Sequence, residues 1–193
     1  MNDVAACLIG YVLGSIPVSL LVARRHGVDL RRTSDGNPGA WNALEQLGAQ
    51  RAWPAFAGDG LKGTLAAAAG LALGDVWTAY AAAGAAMLGH AFPLFAGFRG
   101  GKSVMTFAGA APVLAPAAAA LAVGAGAAAG LATRSFAIGT RVGVFGFPAL
   151  QLLTDPVERV AATGGLMCLI GALFARRGRS ARAMSARGGE PTR

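Results

Sequence analysis

Charge is scarce in this chain. Asp, Glu, Lys and Arg make up 13% of its 193 residues, and of the 17 basic residues only Lys62 and Lys102 are lysine. Cysteine is scarcer still. Cys7 and Cys168 both lie in apolar runs, without a CxxC spacing or a metal partner, so they read as packed thiols rather than a disulfide or a metal site. No basic segment precedes the first apolar run, Val4 to Ala23, which is long enough to span a membrane and reads as a retained helix rather than a cleaved leader.

What fills the chain instead is apolar and small. It is 54% hydrophobic with 29 glycines, and its mean hydropathy is +0.52. That composition indicates an all-α integral membrane protein, in which small residues let helices approach closely in lipid. Seven apolar segments can be read, at about 3–23, 52–73, 76–92, 103–114, 116–132, 137–153 and 157–175. The fourth is short for a perpendicular span. Pro112 and Pro116 make it a short, tilted or broken helix, or part of a re-entrant pair.

Charge placement orients the layout. With the N-terminus outside, segments 24–51, 93–102, 133–141 and 176–193 face the cytoplasm and carry 15 of the 17 basic residues. The opposite side receives Asp3, Asp75, Asp155 and Glu158. The net charge of +8 is therefore mostly topology, and it argues for anionic lipid rather than nucleic acid. Two parts follow: a polytopic domain over 1–176 and a basic, disordered cytoplasmic tail over 177–193.

Three polar motifs interrupt the apolar pattern. The stretch GHAFPLFAGFRGGK, Gly89 to Lys102, ends in Gly100-Gly101-Lys102. It reads either as an anion cradle, in which backbone N–H groups and a compact charge meet an oxyanion, or as a basic loop and glycine turn. In GDGLKG, Asp59 and Lys62 are three apart and share a helix face, as parts of a site or as a buried ion pair. The first loop, RRHGVDLRRTSDGNPGAWN, is turn-rich and reads as irregular. Its Asn residues can bind hydroxyls or phosphate oxygens, and Arg31 and Arg32 can pair with phosphate; otherwise it is a solvated basic loop.

Taken in order, these pieces resemble the bacterial membrane acyl-phosphate:glycerol-3-phosphate acyltransferases. The resemblance rests on GSIP at Gly14 to Pro17, the D-L-R and G-N-x-G-A-x-N elements within Asp29 to Asn42, D-x-x-K-G at Asp59 to Gly63, and G-H-x-F-P-x-F-x-x-F-x-G-G-K at Gly89 to Lys102. It implies about seven transmembrane helices with the C-terminus cytoplasmic, in a bacterial inner membrane, and an active site on the cytoplasmic side. It implies transfer of a fatty acyl group from acyl phosphate to the sn-1 hydroxyl of glycerol 3-phosphate, giving lysophosphatidate, with no cofactor and no metal. Lys102 with Gly100 and Gly101 would hold a phosphate. His90 would bind the acceptor and assist proton transfer. Asn37 and Asn42, with Gly36 and Gly39, would orient substrate, Arg31 and Arg32 would bind phosphate, and Asp59 and Lys62 would brace the pocket.

The chain departs from that family at defined places. Asp35 occupies the position of a functional Ser, Trp41 replaces a Thr, and Glu45 replaces an Arg. Of the third family element, Asn-Ile-x-Arg-Leu-x-x-Gly-x-Glu, only Gly188 and Glu190 are matched. Asp35 would repel phosphate unless Arg31 and Arg32, four and three residues before it, neutralise it. The alternative function is a catalytically impaired relative that binds phosphorylated lipid or regulates a partner.

Overall fold

Proline and glycine set the ends of the helices. In the computed structural model, which describes residues 2–187 with side chains through Arg176, each of the seven apolar segments is helical and no strand occurs among the described residues. The elements are α1 (Asn2–Gly14), α2 (Val18–Arg25), α3 (Ala40–Leu47), α4 (Ala49–Leu73), α5 (Val76–Ala91), α6 (Val104–Leu114), α7 (Pro116–Thr133), α8 (Phe136–Gln151) and α9 (Val157–Arg187). Among the described residues, four stretches are long and apolar enough to cross a membrane: Asn2–Arg25, Val76–Ala96, Pro116–Thr133 and Val157–Arg176.

The first apolar run is not one helix. Pro17 lacks an N–H and restricts Ile16, so the run breaks into α1 and α2. The break exposes the Ile16 carbonyl, which accepts from Lys62 Nζ at 3.2 Å. Downstream, Pro93 ends α5 and Pro116 starts α7 at its first turn, leaving Ala115 as the one residue between α6 and α7. α6 is therefore a short helix of 11 residues, about 16 Å at 1.5 Å per residue, packed inside the bundle.

Close approach explains the glycines that line these helices. A Cβ on Gly63 would lie 1.9 Å from the Thr106 carbonyl, so α4 and α6 touch backbone to backbone. Gly14 sits against Ala86 in the same way, joining α1 to α5. A core of Met87, Phe107, Phe147 and Ile170 fills the centre. A second cluster, built on Leu20, Leu30, Ala43 and Ala55, anchors the first loop against α4. At the other end of the bundle Asp75 caps α5. Its carboxyl is held below the usual carboxylate range by the N–H of Thr78, aided by that of Trp77.

One expectation needs correction. The first loop is not irregular throughout: Ala40 begins α3, an eight-residue helix that carries Trp41, Asn42 and Glu45. α9 runs to Arg187, and residues 188–193 of the basic tail lie outside the described residues. Gly188 and Glu190 lie outside the described residues.

Candidate active site

A cavity of about 420 Å³ lies where the first loop, the end of α5, the start of α6 and the start of α8 meet. Its polar wall includes Asp35, Asn37, Glu45, Asp59, His90, Lys102 and Arg141. A second cavity of about 660 Å³ runs between α6, α7 and α8 and is almost wholly apolar. The two share Thr140 and Val144 on α8. A polar pocket thus adjoins an apolar groove.

Asp59 is the fixed point beneath the polar pocket. It is 1% exposed and lies 2.9 Å from Lys62 Nζ, and Ser19 Oγ donates to it at 2.5 Å. His90 Nδ1 stands 3.6 Å away. Lys62 is 4% exposed and does not line the main cavity. The pair therefore orients His90 and ties α2, α4 and α5 together, and only Asp59 reaches the pocket.

Gly100 and Gly101 turn their N–H groups onto the end of α5. Their N–H groups donate to the carbonyls of Ala91 and His90 at 3.0 and 3.1 Å. Neither lines the main cavity. A Cβ on Gly100 would lie 1.9 Å from the His90 carbonyl, and one on Gly101 would lie 2.2 Å from His90 Nε2. The two glycines let the loop fold over the end of α5, fixing His90 and delivering Lys102 to the pocket.

Two helix starts line the pocket instead. Ser103, Val104 and Met105 at the N-terminus of α6 line it, as do Gly39, Ala40 and Trp41 at the N-terminus of α3. Neither helix has a side-chain cap. Ser103 takes a left-handed conformation with φ of 62° and turns its hydroxyl away, onto the Met87 carbonyl at 2.6 Å. Two helix starts without side-chain caps, each a positive dipole end, meet at one small volume, an arrangement that suits an anion.

The arginines of the first loop are placed elsewhere. Arg31 donates to the carbonyls of Ala96 and Arg99, clamping the first loop to the second. The Arg32 side chain is 87% exposed and lies 3.6 Å from Asp29. Neither lines the cavity. Lys102 pairs with Asp35 at 2.7 Å. Asn42 lines the pocket but spends its amide on the loop, donating to the carbonyls of Leu30, Thr33 and Asn37. Gly36 shapes the loop at φ of 68° and Gly39 starts α3. Asn37 lines the pocket, buried, with a side-chain oxygen that has no hydrogen-bond partner among the described residues.

The sequence departures form one local network. Glu45 accepts from Trp41 Nε1 at 2.9 Å and from Ser34 Oγ at 3.2 Å. Trp41 and Glu45 are one helical turn apart on α3, so the two replacements fit each other. Trp41 also stacks on Phe136 of α8, with ring centroids 6.1 Å apart and planes at 6°. Sequence reading missed the contribution of α8. Arg141 was counted as a topology charge, and no local pattern relates residues 137–145 to a loop a hundred positions earlier.

The geometry defines a helical membrane protein with a polar pocket beside an apolar groove. The sequence model of the family described as glycerol-3-phosphate acyltransferase matches residues 4–185, and the chain belongs to that family. It is 36% identical over 176 residues to the glycerol-3-phosphate acyltransferase of Geobacter sulfurreducens, covering 88% of this chain and 87% of that one. It is 44% identical over 117 residues to the Rubrobacter xylanophilus protein of the same description, where the match spans 60% of this chain and 59% of that one. The crystal structure of PlsY (YgiH), an integral membrane glycerol 3-phosphate acyltransferase, in its glycerol 3-phosphate form, superposes with a TM-score of 0.76 at 26% identity, covering 100% of this chain and 96% of the other. Its lysophosphatidic acid form gives a TM-score of 0.73 at 25% identity.

Proposed function

We propose that this protein transfers a fatty acyl group from acyl phosphate to the sn-1 hydroxyl of glycerol 3-phosphate. The observation that carries the reading is the junction of the two cavities along α8, a polar pocket with Lys102, His90 and two open helix starts against an apolar groove. The fatty chain occupies the groove and its carbonyl carbon lies at the junction. The glycerol hydroxyl attacks that carbon, the bond from carbon to the phosphate oxygen breaks, and phosphate departs with the electron pair. The donor is already activated, so no acyl-enzyme is required. Holding two phosphate-bearing substrates in line, with N–H groups facing the developing oxyanion, supplies the rate. His90, held by Asp59, hydrogen-bonds the acceptor and assists the loss of its proton.

Asp35 regulates access to Lys102 in this reading. With no phosphate bound, the carboxylate occupies the ammonium at 2.7 Å. A substrate phosphate must displace it. Asp35→Ser is expected to lower KM for a phosphate-bearing substrate by about tenfold, the equivalent of about 1.4 kcal/mol. Steady-state kinetics of the two proteins checks this, and an unchanged or raised KM would make Asp35 a working part of the site. Glu45→Arg alone is expected to reduce activity, because it breaks the bonds to Trp41 and Ser34.

The reading includes seven spans, the N-terminus outside and the site at the cytoplasmic face, supported by the segregation of basic residues. Reporter fusions after residue 176 and within the turn at 154–156 are expected to score cytoplasmic and external, respectively. The reverse pattern would sink the orientation and the cytoplasmic site with it.

A further inference from the structure

Every carboxylate of the polar pocket has a partner. Asp59 has Lys62 at 2.9 Å, Asp35 has Lys102 at 2.7 Å, and Glu45 has Trp41 and Ser34. One lining cation is left over. Among the described residues, no ion pair or hydrogen bond engages Arg141, which lines the pocket from α8. Two substrates that each bear a phosphate need two cationic sites, since neighbouring dianions repel. Lys102 supplies one of them, and the arginines of the first loop supply neither.

We propose that Arg141 binds the phosphate of the acyl-phosphate donor. Its place on α8 selects the donor over the acceptor. Thr140, immediately before it, and Val144, three residues after it, line both cavities. An acyl chain lying in the apolar groove therefore brings its head group to the same turn of α8 that presents Arg141. A guanidinium offers a planar fork to phosphate oxygens and keeps its charge at any working pH, so it can hold the phosphate in the ground state and follow it as a leaving group. Lys102, entering from the loop before α6 and opposed by Asp35, is left for the acceptor.

The inference rests on the acyl-phosphate reading, and one set of measurements separates the two. Full-length protein in phospholipid vesicles is assayed with palmitoyl phosphate and glycerol 3-phosphate, each varied in turn. Arg141→Gln is expected to raise KM for palmitoyl phosphate by about tenfold to a hundredfold, with KM for glycerol 3-phosphate within about twofold of the parent. Arg141→Lys should recover part of the loss, because it keeps the charge without the fork. Arg24→Gln, on the exposed end of α2, should change neither constant. A rise in KM for glycerol 3-phosphate instead, or no change in either, overturns the assignment and leaves Arg141 as a contact for lipid head groups. If the parent protein shows no turnover with palmitoyl phosphate, it is the proposed function that fails. Competition by inorganic phosphate in a binding assay then still decides the arginine: equal phosphate affinity in parent and Arg141→Gln counts against it, and affinity lost in the variant supports it.

Discussion

Replacing Asp59 with alanine is expected to destabilise the fold by about 3–5 kcal/mol, the largest effect of any single change considered for this chain. The carboxylate is 1% exposed and is the counter-ion of a lysine that is 4% exposed. Removing it strands an ammonium among apolar helices and takes away the partner of Ser19 Oγ. Lys62 retains only the Ile16 carbonyl, freed by the break at Pro17. Thermal unfolding of detergent-purified protein, followed by tryptophan fluorescence, measures the loss. Lys62→Met should be damaging for the mirror reason. The double variant Asp59→Leu/Lys62→Met should recover much of the stability, because burying neither charge avoids both desolvation costs. It should not recover activity, since His90 would have lost the carboxylate beside it. Single variants as stable as the parent would mean that the pair is better hydrated than its burial indicates.

Lys102→Ala is expected to lower acyl transfer by about one to two decades, from loss of a charge-assisted contact worth about 1.5–3 kcal/mol. The ammonium meets Asp35 at 2.7 Å and lies 4.4 Å from the centre of the Phe174 ring, so its side chain is held at the pocket wall before substrate arrives. The variant also takes the ammonium away from Asp35, leaving a carboxylate without that lysine where phosphate is to bind. The kinetic loss should therefore be larger than that of Lys102→Ala in the Asp35→Ser background. Arg177→Ala, beyond the described side chains, serves as the comparison. A loss at Arg177 equal to that at Lys102 would assign phosphate binding to the basic tail instead of the pocket.

The apolar runs and their proline and glycine boundaries were legible in the sequence because helix formation in lipid is driven locally. Every backbone polar group must be satisfied within its own segment. Lys102, His90, Asn37 and Asp59 were legible as a set because they sit in dense polar motifs within an apolar chain. What those motifs do was less legible. Gly-Gly before a lysine reads as a cradle for an anion, yet both N–H groups donate to the end of α5, and it is the starts of α3 and α6 that line the pocket. Arg31 and Arg32 lie close to Asp35 in sequence, but the 3₁₀ turn at Leu30–Arg32 directs them to other partners. Trp41 and Glu45 looked like two defects in a pattern and are in fact hydrogen-bonded to each other. Arg141 was hidden because a topology charge and a pocket charge look the same until α8 is packed.

The most direct test of the acyl-transfer reading is formation of lysophosphatidate by the purified, vesicle-reconstituted protein supplied with palmitoyl phosphate and glycerol 3-phosphate, compared with palmitoyl coenzyme A as donor. The expected result is saturable product formation that requires both phosphate-bearing substrates, releases one phosphate per product and does not proceed from the thioester. Absence of product from palmitoyl phosphate, in protein shown by thermal unfolding to be folded, would contradict it.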